Sequence, residues 1–82
     1  MNKSELMAEC MVTIERMWLA APLEDRTAFR TCPEDDLIQY HHSLGRDLRN
    51  ECLLWTHQDI IGCPDEFSME IIHNFWEQLN GL

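Results

Sequence analysis

Lysine is all but absent from this sequence. Lys3 stands alone, and basic residues number six against fifteen acidic ones, a formal net charge of −9. That balance argues against binding a phosphate backbone, which requires clustered Lys and Arg. Long apolar runs are missing too: none approaches the ~20 residues of a membrane-spanning helix. The opening Met1-Asn2-Lys3-Ser4-Glu5 has no basic-then-apolar leader pattern. Together these absences predict a cytoplasmic protein that touches neither membrane nor nucleic acid directly. Glycine and proline number three each, and no stretch alternates apolar and polar residues long enough for a half-buried strand. A phosphate loop, a dinucleotide-binding glycine fingerprint and the glycines of a nucleophile elbow are all lacking.

What is present fits one small helical domain. The 82 residues, 45% of them hydrophobic, form a single unit, residues 1–82. It buries roughly 60–65% of its unfolded surface, which leaves a thin core. The chain reads as all-α, a compact bundle of about four helices, one of them short. The first helix spans about 4–20, capped by Asn2 with Glu5 three residues on, or by Ser4. Met7, Met11, Ile14, Trp18 and Ala21 form its apolar face, with Cys10 and Met17 alongside. Ala8, Val12 and Leu19 make a second, weaker strip bordered by Glu5, Glu9, Glu15 and Arg16. Such a helix is wedged between two neighbours or keeps one strip for a partner. In a thin domain wedging is the commoner arrangement.

Pro22 opens a short second helix over 23–30. Thr31 then caps a third, with Pro33 in its first turn and Glu34 reaching back. That helix carries Leu37, His41, Leu44, Leu48 and Cys52 on one stripe and ends near 51–53. Gly45, at the stripe's edge, costs about 1 kcal/mol relative to alanine in a helix interior. It therefore admits a close neighbour or marks a kink. Residues 56–63 read as a connector. Asp65 then caps a fourth helix with Ile71, Ile72, Phe75 and Leu79 on its buried face and Trp76 at the flank. Gly81 closes it in the left-handed conformation.

Cys10, Cys32, Cys52 and Cys63 include no C-x-x-C pair. Without an export leader they are expected to stay reduced, with Cys10 and Cys52 acting as small hydrophobes on helical stripes. A metal site would draw on His41, His42, His57, His73, Cys32, Cys52 and Cys63, but their spacing lacks a zinc signature. Neither a metal nor another cofactor is expected.

Three blocks of the chain resemble a known pattern. They are His41-x-x-Leu44-Gly45-x-x-Leu48-Arg49-Asn50, then Leu54-Trp55, then Pro64-Asp65-x-x-Ser68-x-x-Ile71-Ile72 with Trp76. They resemble an uncharacterised bacterial domain family carrying H-x-x-L-G-x-x-I-R-N … L-W … P-D-x-x-S, over roughly residues 34–79. The departures are Cys63, where a histidine is expected before Pro-Asp, and a short Trp-to-Pro connector. The resemblance implies shared architecture and assigns no activity.

The polar residues of these blocks admit competing readings. In one, His41, Gly45, Arg49, Asn50, Trp55, Asp65 and Ser68 form a structural staple, with Arg49 and Asn50 tying the third helix to the fourth-helix entrance or the connector. In another, Arg49 anchors an anion in a pocket walled by Trp55, giving a metal-supported or ligand-sensing domain around His41, Arg49, Trp55 and Asp65. A catalytic set, with His41 as base, Asp65 as orienter and Ser68 as nucleophile, competes with a core histidine bonded to a backbone carbonyl. The staple and the core histidine are favoured. A small helical chain offers little concave volume for a substrate pocket of several hundred Å³, so no enzyme activity is expected.

The acidity has a local and a global side. Glu24, Asp25, Glu34, Asp35, Asp36, Asp65 and Glu66 fall in predicted first turns or caps, where negative charge complements the helix dipole. The surface is anionic all the same and attracts basic protein surfaces. The expected role is that of a small acidic protein-binding module, a stoichiometric inhibitor or adaptor. Its partner presents a basic surface, as nucleic-acid-binding proteins do. Anti-CRISPR and other phage anti-defence proteins that imitate a duplex, and immunity proteins that plug a toxin's basic active site, are similar in type. Candidate contacts are Glu9, Val12, Glu15 and Leu19 on the first helix and Glu34, Asp35 and Asp36 at the start of the third. A homodimer through the first helix's heptad-like stripe is a further arrangement.

Overall fold

The fold begins with a reciprocal cap. The Asn2 side chain accepts the Glu5 N–H at 2.9 Å, and the Glu5 carboxylate accepts the Asn2 N–H at 3.2 Å. In the computed structural model, which describes residues Met1–Leu82, this cap opens α1 (Lys3–Ala20). There follow α2 (Leu23–Thr31), the 3-10 helix η1 (Glu34–Tyr40), α3 (Leu44–Glu51), a second 3-10 helix η2 (Leu54–His57), α4 (Gln58–Ile61) and α5 (Pro64–Leu79). Every element is helical. None is long and apolar enough to cross a membrane.

Five α-helices and two 3-10 helices replace the four helices expected, because two expected elements are built differently. The third helix divides: 34–40 winds as 3-10, a turn follows, and α3 starts afresh at Leu44. His41, His42, Ser43 and Gly45 are weak helix formers, and they fall where the division occurs. Thr31 does not cap this segment. Cys32, which precedes Pro33, is extended, as residues before proline are. Thr31 therefore stays inside α2, its hydroxyl donating to the Thr27 carbonyl at 2.8 Å. The expected connector is also helical, forming η2 and α4. The chain reverses between α3 and η2 at Leu53, a non-glycine residue in the left-handed region with φ 50°.

The core is one cluster: Leu6, Cys10 and Ile14 from α1, Phe29 and Cys32 at the end of α2, Leu37, Leu48 and Leu54 from the middle elements, and Phe67, Ile71, Ile72, Phe75 and Trp76 from α5. Leu6 and Phe67 lie one helical step before the stripes read from sequence. The buried line on α1 is Leu6–Cys10–Ile14, with Met7, Met11, Met17 and Trp18 half-buried beside it. The heptad-like stripe thus faces inward. Helix α5 is central, packing on α1, α2, α3, α4 and η1. It also finishes α2: Trp76 Nε1–H donates to the Cys32 carbonyl at 3.0 Å and Asn80 Nδ2–H to the Arg30 carbonyl at 3.1 Å. The second strip of α1 is not wedged. Val12 is 66% and Leu19 59% exposed.

A side chain in the left-handed region crowds its own backbone by about 1–2 kcal/mol, and glycine avoids that clash. Leu53 is exposed, so Leu53→Gly sacrifices no core contact. The substitution is expected to stabilise the protein by about 0.5–1 kcal/mol, seen as a thermal midpoint several degrees higher. An unchanged or lower midpoint would contradict the strain at this turn.

Candidate functional site

Arg49 lies in the last turn of α3 and is only 8% exposed. Its three guanidinium nitrogens each have an acceptor. Nε pairs with Asp65 Oδ1 at 3.2 Å, Nη1 donates to Ser68 Oγ at 3.1 Å, and Nη2 donates to the His41 carbonyl at 3.4 Å. Ser68 Oγ in turn donates to the Asp65 carbonyl at 2.8 Å. One fork therefore holds the first turns of α5 and the turn after η1 against α3. A desolvated cation needs this kind of pairing, because an unpaired buried charge costs several kcal/mol.

Local sequence explains the convergence. Pro64 is the first residue of α5 and Cys63 its N-cap, so the helix begins earlier than expected and Asp65 is not the cap. Its carboxylate is free to reach Arg49. Gly45 provides the clearance: a Cβ there would sit 3.1 Å from Arg49 Nη1, 3.3 Å from the Tyr40 carbonyl oxygen and 3.6 Å from Ser68 Oγ. His41 contributes through its backbone. Its ring Nε2 is 4.0 Å from Asp65 Oδ2, and its buried Nδ1 has no partner.

The structure thus joins His41, Gly45, Arg49, Asp65 and Ser68. Two residues of the proposed staple are elsewhere. Asn50 is exposed and its side chain makes no hydrogen bond, and Trp55 is 48% exposed on η2. Trp55 therefore walls no pocket around Arg49, and Arg49 has no idle nitrogen with which to anchor an anion. Ser68 is fully buried with its oxygen committed at both ends, which gives it no path to a substrate. No three His, Cys, Asp or Glu side chains converge on a point where an ion could sit.

Concave volume is larger than the sequence suggested. A hollow of about 320 Å³ is bounded by Trp18, Phe29, Tyr40, Leu44 and Phe75, with Asp25, Arg26 and Asp47 also on its wall. Arg26 lies over the Trp18 ring at 5.5 Å. Burial, helped by Cys32 and Asp25, pushes the Tyr40 phenol up from its ordinary value. A more open groove of about 660 Å³ runs between η1 and α5. Leu37, Ile38 and Met69 make its apolar part, and Glu34, Asp35, Asp65, Glu66 and Glu70 line it together with His41 and His73. His73 ties the two walls, its ring 3.0 Å from Glu34 Oε1 and 2.7 Å from Glu77 Oε1. Glu70 pairs with Lys3 at 3.5 Å, whereas Asp35 and Glu66 have no cationic partner.

Of the acids flagged in sequence, Glu34 and Asp35 line this groove. Asp36 is exposed on η1 without lining it, and Glu9 and Glu15 are exposed on α1. Sequence reasoning missed Ile38, Glu66, Met69, Glu70 and His73. Glu66, Glu70 and His73 recur at steps of four and three along α5, a signal of one shared face.

These features define a wholly helical domain fastened by an internal arginine clamp and carrying an acid-lined groove. The chain belongs to the family described as a domain of unknown function, DUF6794, whose model matches residues 5–79. No curated protein and no solved structure matches it.

Gly45→Ala gives a test of the clamp with a diagnostic sign. Helix propensity alone predicts stabilisation by about 1 kcal/mol. The new Cβ instead presses on a pinned guanidinium and a backbone carbonyl, so destabilisation by about 1 kcal/mol or more is expected in a denaturant melt. A more stable variant would show that the approach of Arg49 and Tyr40 to Gly45 is loose.

Proposed function

We propose that this domain is a protein-binding module that takes a basic, amphipathic segment of a partner into the groove between η1 and α5. The observation that carries this reading is the pairing of an apolar lining with a row of carboxylates, of which Asp35 and Glu66 have no cationic partner. Leu37, Ile38 and Met69 lie among Glu34, Asp35, Asp65, Glu66 and Glu70, and Ile38 is 65% exposed. An exposed apolar side chain set among acids suits a helix with leucine-like anchors on one face and Lys or Arg beside them. The net charge of −9 speeds the encounter, and the anchors set the residence time.

Occupying a partner's basic surface in this way is how a stoichiometric inhibitor or adaptor works, in a cytoplasmic setting where thiols stay reduced. It requires no turnover. The polar cluster around Arg49 supports the same reading, since its groups are bonded to one another rather than presented outward. The exposed α1 strip with Glu9, Val12, Glu15 and Leu19 is a second contact surface for a larger partner.

The direct test is titration of a synthetic helical peptide with Leu and Lys at i, i+3, i+4 and i+7 spacing, against a scrambled peptide of equal charge. The periodic peptide is expected to bind at least tenfold more tightly and to weaken as salt rises. Asp35→Lys combined with Glu66→Lys, and separately Ile38→Glu, should each lower its affinity about tenfold or more, while Glu9→Lys with Glu15→Lys changes it little. Equal affinity for both peptides, or indifference to the groove substitutions, would refute the groove as the docking site.

A further inference from the structure

We infer that the hollow walled by Trp18, Phe29, Tyr40 and Phe75 is a binding site for a small, uncharged aromatic molecule with a carbonyl-type acceptor on its edge. The four rings come from four elements, α1, α2, η1 and α5, and bound about 320 Å³. That volume is at the low end of the ~300–1,000 Å³ typical of ligand sites, which suits a guest of one or two fused rings. The rings brace one another. Trp18 meets Phe75 edge-on at 5.9 Å between centroids, Phe29 meets Tyr40 edge-on at 5.1 Å, and Phe29 and Phe75 lie 6.1 Å apart. A flat apolar guest finds ring faces and edges of the kind aromatic pairs prefer. The hollow shares no lining residue with the groove between η1 and α5.

Polar atoms on the same wall define the guest further. Three buried side-chain nitrogens in the protein have no hydrogen-bond partner, and two of them, Trp18 Nε1 and Arg26 Nε, belong to residues of this wall. Both can only donate. A buried donor without an acceptor is costly, so a guest that brings an acceptor gains a bond the chain leaves unmade. The Arg26 guanidinium lies over the Trp18 ring at 5.5 Å, and no carboxylate pairs with it. The Tyr40 phenol, pushed up chiefly by burial and further by Cys32 and Asp25, stays protonated and adds a hydroxyl donor.

Charge on the wall is mixed, and it selects against ions of either sign. Arg26 opposes a cation. Asp25, which has no cationic partner, and Asp47 oppose an anion, as does the net charge of −9. A neutral carbonyl compound meets neither objection. A lactam or aromatic amide also offers an N–H to the carboxylates.

The experiment titrates the isotopically labelled full chain with four bicyclic probes of similar size, followed by nuclear magnetic resonance. They are 2-quinolone (neutral, with a carbonyl), naphthalene (no acceptor), 2-naphthoate (an anion) and N-methylquinolinium (a cation). 2-Quinolone is expected to bind with Kd below about 1 mM, at least about tenfold more tightly than each of the other three. In the unsubstituted protein it should shift the Trp18 indole N–H resonance and leave those of Trp55 and Trp76 in place. Trp55 is on η2, and the Trp76 indole is already bonded to the Cys32 carbonyl. Trp18→Phe keeps a ring and removes the donor, so it should weaken 2-quinolone about tenfold and leave naphthalene binding unchanged. Should that variant fail to fold, the Trp18 resonance of the unsubstituted protein decides. No shift with 2-quinolone, a shift confined to Trp55, naphthalene binding as tightly as 2-quinolone, tighter binding of either charged probe, or a folded Trp18→Phe that binds 2-quinolone as the parent does would each overturn the assignment.

Discussion

A guanidinium withdrawn from water at the junction of three elements is the constraint on which this small protein depends. Arg49 is almost wholly buried, and a cation in that position is tolerated only when good acceptors surround it. Several otherwise odd features follow from supplying them. Gly45 occupies a helix without a side chain because the Arg49 fork and the Tyr40 carbonyl need its space. Helix α5 starts at a proline, which leaves the Asp65 carboxylate free to face α3 instead of capping its own helix. Ser68 is a polar residue with no solvent exposure because its hydroxyl links Arg49 to the Asp65 carbonyl. The clamp is a structural device assembled from residue types that also serve catalysis.

That inward use of polar chemistry shapes what is left for function. Arg49, Asp65 and Ser68 bond to one another in the clamp, and charged side chains line the groove beside it. Negative charge at helix starts stabilises the helices locally, and the same carboxylates on η1 and α5 line a groove with an apolar part. Under the proposed function, the same set of side chains serves stability and recognition together.

How much was legible in sequence varies with the range of the interaction. Local features were readable: the Asn2–Glu5 cap, the start of α2 at Pro22, the end of α3 near residue 51 and the left-handed Gly81 each depend on a few neighbouring residues. Periodicity located the buried faces but missed Leu6 and Phe67, because each stripe was centred on its middle residues and not extended one turn toward the N-terminus. The division of the third helix was not readable, since the Leu37–His41–Leu44–Leu48 spacing suits a continuous helix and only the packing of η1 and α3 on α5 favours a turn. Within the candidate site, Arg49, Asp65 and Ser68 could be read as partners at two helix ends, whereas Asn50 and Trp55, placed with them by the motif blocks, face solvent.

The central claim, that Arg49 fastens α3 to α5 through direct bonds and not merely through bulk, is tested most directly by a double-mutant cycle. Arg49→Met keeps much of the apolar stem, Ser68→Ala removes the hydroxyl, and the stabilities of the parent, both single variants and the double variant are measured by denaturant unfolding. The account predicts a coupling energy of about 1 kcal/mol or more, with the second substitution costing much less once the first is made. Additive effects, within about 0.3–0.5 kcal/mol, would show that the two residues act independently and that no such clamp holds the helices together.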